Sequence, residues 1–204
     1  METNNPYAPP GANVFDGSGG APLQDASALR YAGFWQRFFA FIVDFLVLLP
    51  LTGLVIWLGE KSRLFMLYWF VPGIVIGLLF HVYLVKRYGG TPGKLVLKTR
   101  IAMVDGSAVT MKAAMLRYAG LLILTSLSSL ALLQATLGMS DETYLSLDYI
   151  TRSTKMVELA PGWYGAVSIL LQVWIWSEFI TMLFNKRRRA LHDFIAGTVV
   201  LRKD

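Results

Sequence analysis

The 204-residue sequence contains no cysteine. That excludes a disulfide framework, a thiolate metal site and a cysteine nucleophile. It has two histidines, His81 and His192, far apart in the chain, too few for a dedicated zinc site. Charge is scarce: 16% of residues are Asp, Glu, Lys or Arg, while 55% are hydrophobic. A soluble globular domain carries about 25% charged residues. The deficit points to a chain that spends its length in a membrane. Acidic residues are the rarer sign, giving a formal net charge of +6. In a membrane chain such an excess reads as basic loops held on one side, so no nucleic-acid partner is expected.

Long apolar runs are what the sequence has in abundance. The first, WQRFFAFIVDFLVLLPLTGLVIWL, gives a span over residues 38–58. Crossing a bilayer core takes about 20 helical residues. Pro50 removes one backbone donor within it, predicting a kink. Further spans are expected over residues 64–85, 113–137 and 162–184. Gly73 and Gly77 form a GxxxG in the second, a pattern that lets another helix approach closely. Ser126, Ser128 and Ser129 in the third can bond to backbone carbonyls or neighbouring helices. Trp163 and Tyr164 open the fourth, where an interfacial aromatic belt is expected.

Residues 1–30 are polar and lack apolar periodicity, which predicts a disordered leader. The leader has no basic start and no apolar core, so it does not read as a secretory signal. Residues 86–112 form a basic loop. GGTPGK (residues 89–94) is turn chemistry. It fails as a phosphate loop, since Tyr88 and Leu95 stand where glycine and Ser/Thr are required. The alternation from Leu95 to Met103, followed by Asp105-Gly106, predicts a β-hairpin outside the membrane. Residues 138–161 make a polar loop. After the basic run 186–189 the tail reads ALHDFIAGTVVLRKD, and residues 198–201 are β-branched enough to add a third strand. The expected fold is therefore an all-α membrane protein with four transmembrane helices and a small cytoplasmic β-hairpin or three-stranded element. Fifteen of the nineteen Lys and Arg residues fall on the side holding both termini, which predicts cytoplasmic termini by the positive-inside rule.

Ionisable residues within the spans are the candidate site. A carboxylate at the centre of a membrane helix costs about 2.5–3.5 kcal/mol on insertion scales. Asp44 lies about six residues, or roughly 9 Å, inside the first span. Glu178, His81 and Arg117 lie at comparable depth in the other three. We expect a buried layer of Asp44, His81, Arg117 and Glu178, with both acids sharing Arg117 and with Arg37 beneath. Two readings stand for this layer: an ion-pair network that fixes helix register, or a proton or cation site. Arg117 alone could snorkel to the headgroups, and His81 alone could be a packed histidine.

Three segments, AGFWQRFFAFIVD (residues 32–44), GGTPGKLVLKTRIAMVDG (residues 89–106) and RRALHDFIAGTVV (residues 188–200), together resemble the RDD family of membrane proteins. The family is named for an arginine and two aspartates, which match Arg37, Asp44 and Asp193. The matched loop and tail segments also carry Gly89, Thr91, Gly93, Lys94 and His192. The resemblance implies a few membrane spans, a basic glycine-containing loop and a transport role, with cation–proton exchange suggested. This chain departs in its longer polar loop before the last span. Asp193 follows the basic stop, at the level of Arg37, so these two are expected to pair and dock the tail under the bundle, with Lys94 the competing partner.

The function expected is transport of ions or small solutes through the charged layer around Asp44, in a homo-oligomer within the cell membrane. The alternative is a non-transporting scaffold whose basic loop and tail bind partners or anionic lipid. No nucleophile–base pair, metal cluster or nucleotide loop emerges, so neither an enzyme activity nor a cofactor is expected.

Overall fold

The structure, a computed structural model, describes residues 30–203. The expected disorder of the leader lies outside the described residues apart from Arg30. Four helical stretches are long and apolar enough to cross a membrane. They are α1 (Phe34–Lys61), the stretch beginning with α2 (Phe65–Leu78), α5 (Met111–Leu137) and α8 (Tyr164–Leu183). Helix α1 runs unbroken through Pro50. Helix α2 passes through one π-helical turn (Leu79–Tyr83) into α3 (Leu84–Tyr88). Large apolar side chains such as Phe45, Leu46, Val71, Ile169 and Val173 face outward from these helices. That is the pattern of helices solvated by hydrocarbon rather than water.

The second stretch does not end in a plain turn. Gly89 adopts a left-handed conformation (φ 81°) that ends α3, as glycine does at helix C-termini. Thr91 then stands at the N-cap and Pro92 at the first position of α4 (Pro92–Val96). Strand β1 (Thr99–Met103) comes next. The expected hairpin across Asp105-Gly106 does not form a strand pair. The sheet has two strands, not three, and β1 pairs antiparallel with β2 (Thr198–Arg202), with Ile101 opposite Val200. Ala108 makes only an isolated bridge to Ala102. The next residues explain why: the Thr110 hydroxyl accepts the Ala113 amide and caps α5, so the chain turns into a helix there. The other edge of β2 receives the chain before α1, where Ala32 N donates to Val200 O (2.9 Å) and Arg202 N to Arg30 O (2.8 Å).

The bundle thus has two distinct ends. At one, β1, β2, α4 and the short tail helix α9 (Leu191–Ala196) meet the start of α1. A buried cluster of Val85, Ile101, Val109, Ala114, Tyr118 and Val200 ties them to α5. At the other, the expected loop 138–161 contains two helices, α6 (Asp141–Ser146) and α7 (Tyr149–Glu158). Ser140 and Asp148 cap them, and Ala135, Met139, Tyr144 and Met156 form a separate small core. The Arg63–Asp141 pair and a hydrogen bond from the Tyr144 hydroxyl to Gly59 O hold α6 to the α1–α2 turn.

Candidate functional site

Asp193 is fully buried at the sheet end of the bundle. Its Oδ2 accepts from Arg37 Nη1 (2.8 Å) and from the Ala190 amide (2.9 Å). Its Oδ1 accepts from Arg117 Nη1 and from the Thr198 hydroxyl (3.0 Å). One carboxylate therefore joins α1, α5, α9 and β2. Burial alone would raise its pKa, but the charges of Arg117, His192 and Arg37 outweigh burial and hold it well below the ordinary carboxylate range. The expected Arg37–Asp193 contact is present, and Arg117 is a second partner on the same acid. Lys94 is not. Arg189 closes the tail from below, donating to Asp193 O (2.8 Å) and Thr198 O (3.1 Å).

The expected sharing of Arg117 by Asp44 and Glu178 is not what the structure has. Arg117 goes to the tail: Nη1 also donates to Thr198 Oγ1 (2.6 Å), and Nη2 lies 2.7 Å from His192 Nε2. The opposite ring nitrogen, His192 Nδ1, is 2.8 Å from Glu178 Oε1. Arg117, His192 and Glu178 thus form a relay from α5 through α9 to α8. Counting residues along separate helices does not give the side each residue faces. The tail rises between them and takes both the arginine and the glutamate.

Asp44 faces the loop instead. Its Oδ2 accepts the Thr91 hydroxyl (2.6 Å) and its Oδ1 accepts the Gly93 amide (2.7 Å). A carboxylate from α1 thereby satisfies a donor at the start of α4 that no helical bond can reach. Gly93 is required there: a Cβ would run into the Ala40 carbonyl oxygen and the Asp44 carboxyl carbon. Lys94 extends beside them, its Nζ 3.4 Å from the Thr91 hydroxyl. The loop motif is therefore a docked helical turn pressed against α1. The run Thr-Pro already signals a helix start, and Thr91 and Gly93 are what bring Asp44 into use.

Between these two anchors lies a cavity of about 400 Å³. Arg37, Asp44, His81, Lys94, Glu178 and His192 line it, with Arg117 and apolar residues such as Phe41 and Phe179. Each expected layer residue borders this space, although the four do not bond to one another. His81 lies flat against Tyr118, with ring centroids 4.8 Å apart at 17°. Arg37 uses only Nη1 on Asp193, and its Nε and Nη2 are buried with no hydrogen-bond partner among the described residues. Sequence reasoning missed Tyr118, Thr198 and Arg189. Tyr118 had a signal, its place next to Arg117 in a span; Thr198 had none. Among the described residues no group of three or more His, Cys, Asp or Glu could hold a metal ion.

Four apolar helices around an acid–base cavity, closed at one end by a docked loop and tail, define a polytopic membrane protein with a buried polar centre. The sequence matches the RDD family over residues 31–197, and the chain belongs to that family of membrane proteins. No curated protein and no solved structure matches it.

Proposed function

We propose that the protein moves ions or small solutes across the cell membrane, and that Glu178 with His192 is the exchanging pair. The observation that carries this reading is the cavity itself, where acids and bases from all four spans and the tail line one space. Polar residues placed in a bilayer are costly and are retained where they serve a pathway. Asp44 has both oxygens engaged by the α4 turn and acts as an anchor. Glu178 is bonded to the His192 imidazole, whose second ring nitrogen faces Arg117, and a carboxylate joined to an imidazole can hand a proton across, so cation–proton exchange is the simplest cycle. In this reading the sheet end faces the cytoplasm, and Gln172, exposed on the apolar face of α8, contributes to a homo-oligomer contact.

The test is flux in liposomes holding a pH-sensitive dye, with Na⁺, K⁺ or Li⁺ gradients. Glu178→Gln should lower dye response at least tenfold while the purified variant keeps its elution profile. Wild-type liposomes that respond no more than empty ones would overturn the proposal, as would an unchanged response in Glu178→Gln. A scaffold role has one observation of its own: Lys186, Arg187 and Arg188 are exposed outside the network, which suits anionic headgroups. Binding to anionic vesicles without any flux would favour it.

A further inference from the structure

A second cavity, about 220 Å³, lies between α2 and α5. Trp69, Gly73, Thr125, Ser126 and Ser129 line it, together with Tyr118. Tyr118 also lines the charged cavity. The residues of the two spaces succeed one another along the same seam. On the second span, Gly73 borders the smaller space and His81 the charged one. On α5, Leu122 borders the smaller space and Leu121 the charged one. The smaller space climbs α5 from Tyr118 to Ser129, eleven residues, or about 16 Å of helix toward the α6–α7 end. Tyr118 is the residue shared by the two linings. Its hydroxyl sits against Gly77 so closely that a Cβ there would collide with it. One turn further along the same stretch, His81, carried by the π-helical turn, stacks on the Tyr118 ring.

We propose that the two cavities are halves of one path along the α2–α5 seam and that the Tyr118 ring is the barrier closing it. This rests on the transport reading and adds its gate. The chemistry of the two halves suits a passing ion. The charged half can exchange protons and attract the solute. The hydroxyl oxygens of Thr125, Ser126 and Ser129 border the smaller half and can accept contacts from a partly dehydrated cation. Gly77 lets the tyrosine cross the seam, and the histidine stack holds it flat. Movement of one aromatic side chain would then join the two spaces.

The absence of cysteine makes the test direct. Single cysteines are placed at Ser129 in the smaller cavity and at Ile175 in the charged one, in the full chain in sealed vesicles. A charged, impermeant methanethiosulfonate is applied from the α6–α7 side. We expect Ser129→Cys to react and Ile175→Cys to be protected. Adding Tyr118→Ala should speed modification of Ile175→Cys at least tenfold, and Tyr118→Phe should keep the protection. Gly77→Ala, which pushes the tyrosine from the opposite helix, should give an intermediate rate and stands in if Tyr118→Ala does not fold. An unreactive Ser129→Cys overturns the proposal. So does an Ile175→Cys rate that neither Tyr118→Ala nor Gly77→Ala changes. Because labelling needs no transport, an open path with no flux would fault the functional reading and leave the barrier standing.

Discussion

Asp193→Asn is the substitution that asks most of the structure. The aspartate carries one charge between two buried guanidinium groups, those of Arg37 and Arg117. Asparagine keeps the shape but removes the charge and points an amide donor at groups that only donate. Arg117 keeps Thr198 and His192 as neighbours. Arg37 loses the carboxylate that is its ion-pair partner. Breaking a buried pair from one side costs about 3–5 kcal/mol, chiefly because a charge stays buried without compensation. For a chain of this size that corresponds to a fall of about 6–20 °C in Tm. The assay is thermal unfolding of the purified protein in mild detergent. The double variant Arg37→Met with Asp193→Asn should be less destabilised than Asp193→Asn alone, since one orphaned charge is gone. The pH dependence has a fixed sign. A carboxylate held below its ordinary range contributes stability that is fully present above its unfolded pKa of about 3.9. That stability is lost as pH falls through the native value. The gap in Tm between wild type and Asp193→Asn should therefore stay constant from pH 8 to 5 and narrow only below about 4. A loss under about 1 kcal/mol, or a gap that closes between pH 8 and 5, would refute the burial and pairing assigned to Asp193.

Gly93→Ala should undock the α4 turn, because the colliding atom is the Ala40 backbone carbonyl and cannot rotate away. Overpacking of this kind costs about 1–3 kcal/mol, and limited proteolysis should show new cleavage between residues 89 and 98. Wild-type protease resistance in that variant would contradict the packing. If the proposed homo-oligomer forms through α8, Gln172→Leu should weaken it by about 0.6–2 kcal/mol, the range of an interhelical hydrogen bond in a membrane, and cross-linking yield in detergent reads it directly. Unchanged cross-linking would remove α8 from the subunit contact.

The membrane-spanning helices were legible because each carries its own signal: an apolar run of sufficient length needs no partner to be recognised. The Arg37–Asp193 contact was legible because the resemblance singled out both residues and their opposite charges fall at one end of the bundle, with Lys94 the competing partner. What stayed hidden depended on distant partners. Helix α4 has five residues, too few to persist alone, and it exists against α1 through Asp44, whose side chain holds Thr91 and Gly93. The strand pairing misled because Asp105-Gly106 offered a local hairpin. Val199 and Val200 are both fully buried and made the more distant β2 the better partner. Depth along a helix comes from counting residues, whereas the side a residue faces does not. For that reason Arg117, His81, Asp44 and Glu178 line one cavity, yet the bonds expected between Arg117 and the two acids are not there.

Asp44 and Asp193 have parallel duties in this chain. Asp44 draws the loop onto α1 through Thr91 and Gly93. Asp193 draws the tail onto α1 and α5 through Arg37 and Arg117. Neither segment spans the membrane, and each becomes a wall of the charged cavity once docked. A carboxylate with its lone pairs committed to fixed donors is poorly placed to exchange a proton during each cycle. In the proposed reading anchoring and exchange therefore fall to different residues, with Asp44 and Asp193 building the chamber and the Glu178–His192 pair in the working role. The separation has an experimental consequence. Loss of Asp44 or Asp193 should lower stability and activity together, whereas loss of Glu178 should remove activity from protein that keeps its stability.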